Sequence, residues 1–495
     1  MVKRFKCAVF LLLALILLAT PVSASPRQNL GIESYIYNIA GPGAFIAVPA
    51  PLPYRYSRSL YARDLGVESL MHINEVVYHD GHFFITNGPS ILVFDYDFNL
   101  VAEITGIYQD GVFDTFTPLN GIFVTHHTGE IYVAEPGAGR IIHLDPEFNL
   151  VRTLDRPYGI PLGEGFPWQP TKVAVDQNGR IYVIANNVFE GVVEKNPDGT
   201  FNRYYGVVNV SYTFMDLVWR AMRTPAQRAR AALWLPTAFS NLTIDYNGFV
   251  FTVIGEGDND EPVRKLNARG ENILRRPSDD HFWGDDHDLM MPAFNVPQGP
   301  SIFSHVHVTN FGVYYVLDRN RNRVFAYDDD GHLLFAFGGA GTREGLTQTV
   351  TGMAISDRHL VLADRGNQSL EVFGLTVYGH NVLSAAYHQY HADWHSAAYY
   401  WRQVLYLNPY FQYAHLGIGR WYYRMGYFEE AAAHFQRSQN VIYFNMAYTR
   451  TRGAFFERHF NTMFFGALAL AALIVGYKII KKVRLYNKQK RGLVT

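Results

Sequence analysis

Apolar and polar positions alternate in short bursts over residues 68–376, and the bursts recur. Six apolar segments stand at matching points of the recurrence: FFIT (83–86), IYVA (131–134), IYVI (181–184), VFTV (250–253), YYVL (314–317) and LVLA (360–363). A turn precedes each one. Five of the turns carry a glycine (Gly81, Gly129, Gly179, Gly248 and Gly312), and the sixth uses Asp357-Arg358. A polar loop then leads to a third segment: ILVFD, IIHLD, VVEKN, VRKLN, VFAYD or LEVF. Short runs rich in Val, Ile, Phe and Tyr, bounded by Gly, Asn and Asp, predict β-hairpins. Four strands per unit, repeated radially, predict a mainly β chain with a six-bladed β-propeller over residues 25–377. SYIYNIAG (34–41) precedes the first unit and is expected to supply the strand that closes the ring, leaving no open edge.

After residue 377 the period changes to a helical one. IGRWYYRMG (418–426) runs into YFEEAAAHFQRS (427–438). Small Ala and Gly positions alternate there with aromatic ones, as closely packed helices require. The stretch resembles a tetratricopeptide repeat at Ile418-Gly419, Tyr422, Gly426, Ala431 and Phe435. A second copy lies 34 residues earlier, at Ala392, Ala397 and Trp401, with Pro409 following. Two such repeats are expected over 378–445, followed by a juxtamembrane helix over 446–459. The aromatic residues after 385 are expected to be mostly core.

The two ends are apolar. MVKRFKCAVFLLLALILLATPVSAS has a basic start, a short apolar run and a small-residue site after Ala24, so residues 1–24 read as a secretory signal peptide. Residues 460–480 form an apolar stretch of bilayer length. Seven basic residues follow between Lys478 and Arg491, which places the 481–495 tail in the cytoplasm and the bulk of the chain outside it. This predicts a single-pass protein of the cell membrane. The ends also change the charge balance. The chain has 43 basic and 44 acidic residues; three basic residues belong to the leader and seven lie from Lys478 to Arg491, leaving 33 against 44 between them. An acidic exported region argues against nucleic acid as a partner. Cys7 is the only cysteine and lies in the leader, so cysteine-based chemistry is excluded downstream.

The candidate chemistry sits where the inner strand of each unit begins. The six entries align as Asn74-Glu75, Asn120-Gly121, Thr171-Lys172, Ser240-Asn241, Ser304-His305 and Thr351-Gly352. The first position is always small and polar. Such a ring can satisfy backbone at blade junctions or bind a ligand at the channel mouth. The second position is ionisable at Glu75, Lys172 and His305. Asn74, Glu75, Asn120, Lys172, Asn241 and His305 are therefore the candidate ligand-binding set. The longest connections, including 211–236 and 275–292, fall on this same face, which is expected to be the working face.

The units resemble NHL-type propeller blades, most clearly in QPTKVAVDQNGRIYVIANN (169–187), YYVLDRNRNRVFAYDDDGHLL (314–334) and LVLADRGNQSLEVF (360–373). The arrangement also resembles gluconolactonase-like hydrolases. That resemblance implies a divalent cation such as Ca2+ at the channel mouth, with Glu75, Asn120 and Asn241 as oxygen ligands and lactone or ester hydrolysis as the activity. This sequence departs from it: the ring has no second carboxylate, and Lys172 places a positive charge beside the metal. Asp279-Asp280-His281 and Asp285-Asp286-His287 form a second candidate metal cluster, with the plainer reading that they belong to a solvated acidic loop. His126-His127 reads as surface. The leading expectation is a membrane-anchored binding or scaffold protein. Its propeller takes a carbohydrate, a peptide or a partner, and its helical repeats dock to a membrane complex such as a carbohydrate transporter. Propeller-plus-repeat membrane proteins of this type resemble accessory components of bacterial carbohydrate importers. The alternative is the metal-dependent propeller hydrolase.

Overall fold

A computed structural model describes residues 33–41, 44–109, 111–163, 165–207, 238–255, 261–277, 281, 283–285 and 300–491. The described chain divides into two compact units, with the boundary between Tyr390 and His391.

The first unit opens with β1 (Glu33–Gly41), β2 (Ala44–Pro49), β3 (Tyr54–Tyr61) and the one-turn helix α1 (Ala62–Leu65). Six blades follow. Blade one holds β4 (Ile73–His79), β5 (His82–Asn87), β6 (Ser90–Phe94) and β7 (Leu100–Ile104). A small hairpin, β8 (Gly106–Gln109) and β9 (Val112–Thr115), precedes blade two, which is β10 (Ile122–Val124), β11 (Ile131–Glu135), β12 (Arg140–Leu144) and β13 (Leu150–Leu154). Blade three is β14 (Pro170–Val175), β15 (Ile181–Ala185), β16 (Val192–Lys195) and β17 (Phe201–Tyr205). Blade four shows three strands, β18 (Phe239–Ile244), β19 (Val250–Ile254) and β20 (Val263–Leu266). Blade five is β21 (Phe303–Val308), β22 (Tyr314–Asp318), β23 (Arg323–Tyr327) and β24 (Leu333–Gly338). Blade six is β25 (Val350–Ile355), β26 (His359–Asp364) and β27 (Ser369–Leu375), with β3 as its outer strand. The six-bladed propeller expected from the sequence is present.

Hairpin chemistry explains the repeat. An aspartate at the end of a strand folds back onto the turn that follows. The Asp95 carboxylate accepts the Asp97 and Asn99 N–H groups at 3.0 and 2.8 Å, and Asp245 accepts those of Asn247 and Phe249 at 2.9 and 2.8 Å. Asp176 and Asp328 do the same in their own hairpins. Such Asx turns satisfy backbone donors that a ladder cannot reach. Between blades the contact is apolar. Phe83, Ile85 and Phe94 of blade one pack with Ala354, Val361 and Leu370 of blade six, which joins the first blade to the last.

Ring closure differs from the expectation. The strand that completes blade six is β3, paired from Tyr54↔Leu375 to Tyr61↔Ser369. SYIYNIAG, as β1, instead adds to the outer edge of β24 in blade five, with β2 outside it. The reason is a buried anchor. Asp285 accepts hydrogen bonds from the Tyr35 hydroxyl, from the Tyr37 hydroxyl at 2.7 Å and from Arg323 Nη1 at 2.6 Å, tying β1 to blade five.

Helix α2 (Val377–Tyr390) belongs to the propeller unit, although 378–390 was expected to belong with the helical repeats. The second unit holds α3 (Trp394–Leu407), α4 (Gln412–Arg424), α5 (Phe428–Arg437) and the 51-residue α6 (Val441–Arg491). Asp393 caps α3 by accepting the Ser396 N–H. Glycine allows close approach inside this unit. A Cβ at Gly417 would lie 2.3 Å from the Trp401 ring, and one at Gly419 would lie 2.6 Å from Phe435. Trp401, Phe435, Ala397 and Ala431 are buried as expected, but Tyr399, Tyr406 and Tyr410 are exposed, so the aromatic excess there is only partly core.

Candidate functional site

All six inner strands run from one mouth of the channel to the other. At the entry mouth the structure separates the two rings that the alignment defined. The first ring is occupied with holding blades together. Asn74 donates its amide to the Leu119 carbonyl at 2.5 Å, Ser240 Oγ donates to the Phe303 carbonyl at 3.1 Å, and Thr351 Oγ1 donates to the Ile73 carbonyl at 3.0 Å. Asn120 sits in the same kind of junction, its carbonyl accepting the Thr86 hydroxyl at 2.6 Å and its N–H donating to Ala134. Asn74 and Asn120 therefore join the fold's own bonding network, in line with the plainer reading of that ring.

The second ring converges. The Lys172 ammonium donates to Glu75 Oε2. His305 Nε2 lies 3.8 Å from Glu75 Oε1, and the Asn241 side chain adds a small downward pull on the pKa of the same carboxylate. Glu75, Asn241 and His305 are all buried. Blades two and six contribute Gly121 and Gly352 at the equivalent positions. A Cβ at Gly121 would lie 2.7 Å from the Thr171 carbonyl oxygen and 3.0 Å from Lys172 Cδ. The missing side chain leaves room for the lysine to lie across blade two and reach blade one. Burial raises the Glu75 carboxyl above its ordinary value, against the pull of Lys172. Burial and the Lys172 charge hold the His305 imidazole well below its own.

This geometry bears on the implied divalent cation. The one ring carboxylate is engaged by an ammonium, and no second carboxylate joins it among the described residues. The residues do not fit a hard cation, which needs several oxygen ligands free of positive charge.

The second candidate metal cluster fares no better where it is described. Asp279, Asp280, Asp286 and His287 lie outside the described residues. Asp285 is the buried anchor of β1: Oδ1 accepts from two tyrosines and Oδ2 faces Arg323 and Arg321, so its acceptor sites are filled. The His281 ring packs edge-on against Trp283 at 4.5 Å, and burial lowers its pKa to about 3. One grouping escaped the sequence reading: Asp328, Asp330 and His332 bring ligand-type atoms within 4.8 Å of one another. It is an Asx turn, with Asp328 accepting backbone N–H groups and Asp330 paired to Arg275 at 2.8 Å.

The opposite mouth holds a larger space. A cavity of about 340 Å3 lies where the inner strands end, against about 70 Å3 in the channel between. Tyr78, His126, His307 and Val308 line both spaces, so the two adjoin. Of the His126-His127 pair, His127 is exposed as expected, whereas His126 is half-buried. Its Nε2 is 2.8 Å from the Ile244 carbonyl oxygen, and its ring stacks on Tyr246 at 4.2 Å. The long loops of the entry face lie largely outside the described residues, and among those described the roomier site is on the other face from the one the loop lengths indicated.

No family model matches the chain, and no curated protein matches it. Solved structures do resemble it. Virginiamycin B lyase from Staphylococcus aureus is 10% identical with a TM-score of 0.39, over 65% of this chain and 100% of the lyase. A protein of unknown function from Bacteroides thetaiotaomicron is 10% identical with a TM-score of 0.40, over 70% of this chain and 91% of that one. The WD40 domain of Neurospora crassa Pan2 is 13% identical with a TM-score of 0.31, over 61% of this chain and 75% of that one. These are likenesses of fold alone.

Proposed function

We propose that the chain is a membrane-tethered binding and scaffold protein. In this reading its NHL-type propeller stands outside the cytoplasm and takes a ligand or partner through its channel. Its tetratricopeptide-like helices dock on a membrane complex, with a carbohydrate transporter as one candidate. The observation that carries the binding reading is the state of Glu75. A buried carboxylate held by the Lys172 ammonium is poorly suited to act as a free general base or to hold a metal, and this weighs against the hydrolase alternative. Two observations support the rest. Helices α3 and α5 begin 34 residues apart, at Trp394 and Phe428, and the turn residues Ala392 and Gly426 before them both have positive φ. Helix α6 is long and apolar enough to cross a membrane, and its apolar stretch is exposed. At 1.5 Å per residue a 51-residue helix is about 75 Å long, so only part of it matches a hydrocarbon core of about 30 Å. The stretch over 460–480 is that part.

Metal analysis of the purified full chain in detergent tests the choice between binding protein and hydrolase. The proposal predicts substoichiometric Ca2+ and Zn2+ that do not change in Glu75→Ala. Stoichiometric metal lost on that substitution would establish the hydrolase alternative.

A further inference from the structure

The cavity at the exit mouth is roofed by α2, and the roof is fastened at both ends. At its start, Thr376 donates its N–H to the Pro53 carbonyl at 3.0 Å and its hydroxyl to the Leu52 carbonyl at 2.7 Å. Gly379 lies so close that a Cβ there would be 2.2 Å from the Pro53 oxygen. At its end, the Tyr390 hydroxyl accepts the Asn247 amide at 3.0 Å from the blade-four turn, and the Tyr390 ring lies over Gly312 of blade five. The helix thus spans from the closing strand to blades four and five. Tyr378, Val382, Ala385 and Ala386 form its buried side.

The space left under this helix has a distinctive wall. Among the described residues, nine of its nineteen lining residues are tyrosine or histidine, none is lysine or arginine, and Asp357 is the one carboxylate. Tyr246 and His126 present a stacked aromatic pair, and the Tyr54 and Tyr315 hydroxyls meet at 3.1 Å. Burial keeps the His307 imidazole neutral by lowering its pKa to about 4, and it lowers that of His126 as well. Phenols and neutral imidazoles combine an apolar face with an edge that donates and accepts hydrogen bonds. A volume of this size is at the small end of the range for ligand sites.

We propose that the cavity between α2 and the exit mouth binds a small neutral carbohydrate. The ring's C–H face lies against the Tyr246–His126 stack, and its hydroxyls bond to the tyrosine, histidine and Asp357 edges. A wall without fixed cations gives an anionic sugar no partner, and Asp357 alone does not compensate a second charge. The site is separate from the Glu75–Lys172 mouth and does not depend on what that mouth binds.

Saturation-transfer NMR on the full chain in detergent micelles tests this, with glucose, galactose, maltose, cellobiose and xylobiose as neutral probes and glucuronate as the anionic one. At least one neutral sugar is expected to bind, with affinity at least about tenfold above that for glucuronate. Ser384→Phe fills the cavity from the roof, and Tyr246→Ala removes the stacking face; each is expected to weaken binding about tenfold or more. Thermal unfolding of both variants shows whether the fold is retained, and Ser384→Phe leaves the blade cores unchanged. Tyr158→Ala, at an exposed position of the connection between blades two and three, is expected to leave sugar binding unaltered. The proposal is overturned if no neutral sugar binds at millimolar concentration, if glucuronate binds as well as the best neutral sugar, or if folded Ser384→Phe protein binds like the wild type.

Discussion

Lys172 reaches Glu75 because blade two places no side chain between them. The pair is buried, and the attraction of two buried charges roughly offsets the cost of drying them. Removing one partner is different from removing both. Lys172→Met leaves a carboxylate in a dry site and is expected to lower stability by about 3–5 kcal/mol, whereas adding Glu75→Gln should recover most of the loss. Urea unfolding of the single and double variants measures this; additive losses would show that the pair is not coupled. His307 makes a second prediction. Its folded pKa of about 4 lies below the unfolded value of 6.5, so the unfolded chain binds a proton that the folded chain refuses. Its contribution is complete above about pH 6.5 and is lost as pH falls towards 4. His126 and His305 act in the same direction, while the raised Glu75 acts in the opposite one, losing its contribution as pH rises. His307→Gln should make the fall in unfolding free energy between pH 6.5 and 4 shallower; an unchanged slope would show that this imidazole is not buried neutral. The meeting of Glu75, Lys172, Asn241 and His305 was legible in the sequence, because aligned strand entries share one level of the ring. The roles of His126 and His307 were not. They line a cavity roofed by α2, whose residues lie far from them along the chain.

At the scale of elements, hairpin turns announced the blades. Asp and Gly at fixed offsets have local work to do, and local work leaves a local pattern. The closing strand left a weaker one. YRYSRSLY carries Arg and Ser on alternate positions, the composition of a strand with one face in solvent, and its pairing with β27 crosses more than 300 residues of chain. SYIYNIAG was more apolar and looked like the better candidate. The two strands have separable roles. A chain lacking residues 33–49 keeps β3 and is expected to retain a closed, cooperative propeller, although less stable because Asp285 and Arg323 lose Tyr35 and Glu33. A chain lacking residues 33–61 also loses β3, exposes the edge of β27 and is expected to aggregate. Comparing the two by calorimetry and light scattering checks this; an aggregated first variant and a monomeric second one would reverse the assignment. The roof helix is the third case. Its spacing matches the repeats that follow, so periodicity assigned it to them, while its fastening to Pro53, Asn247 and Gly312 gives it to the propeller.

At the scale of the molecule, function rests on where the propeller stands. The exposed apolar surface of α6 includes Phe464, Phe465, Leu468, Leu470, Leu473 and Ile474, all about half or more exposed. A surface of that length and character has to be covered, and a bilayer covers it without a partner protein. In the proposed reading the seven basic residues at its far end set the direction, with the propeller outside and the basic tail inside. The most direct test is protease accessibility in intact spheroplasts of cells expressing the full chain with a C-terminal tag. The account predicts that added protease destroys the propeller while a short tagged fragment, made of the membrane helix and the tail, stays protected until the membrane is dissolved. A propeller that survives until detergent is added would contradict it.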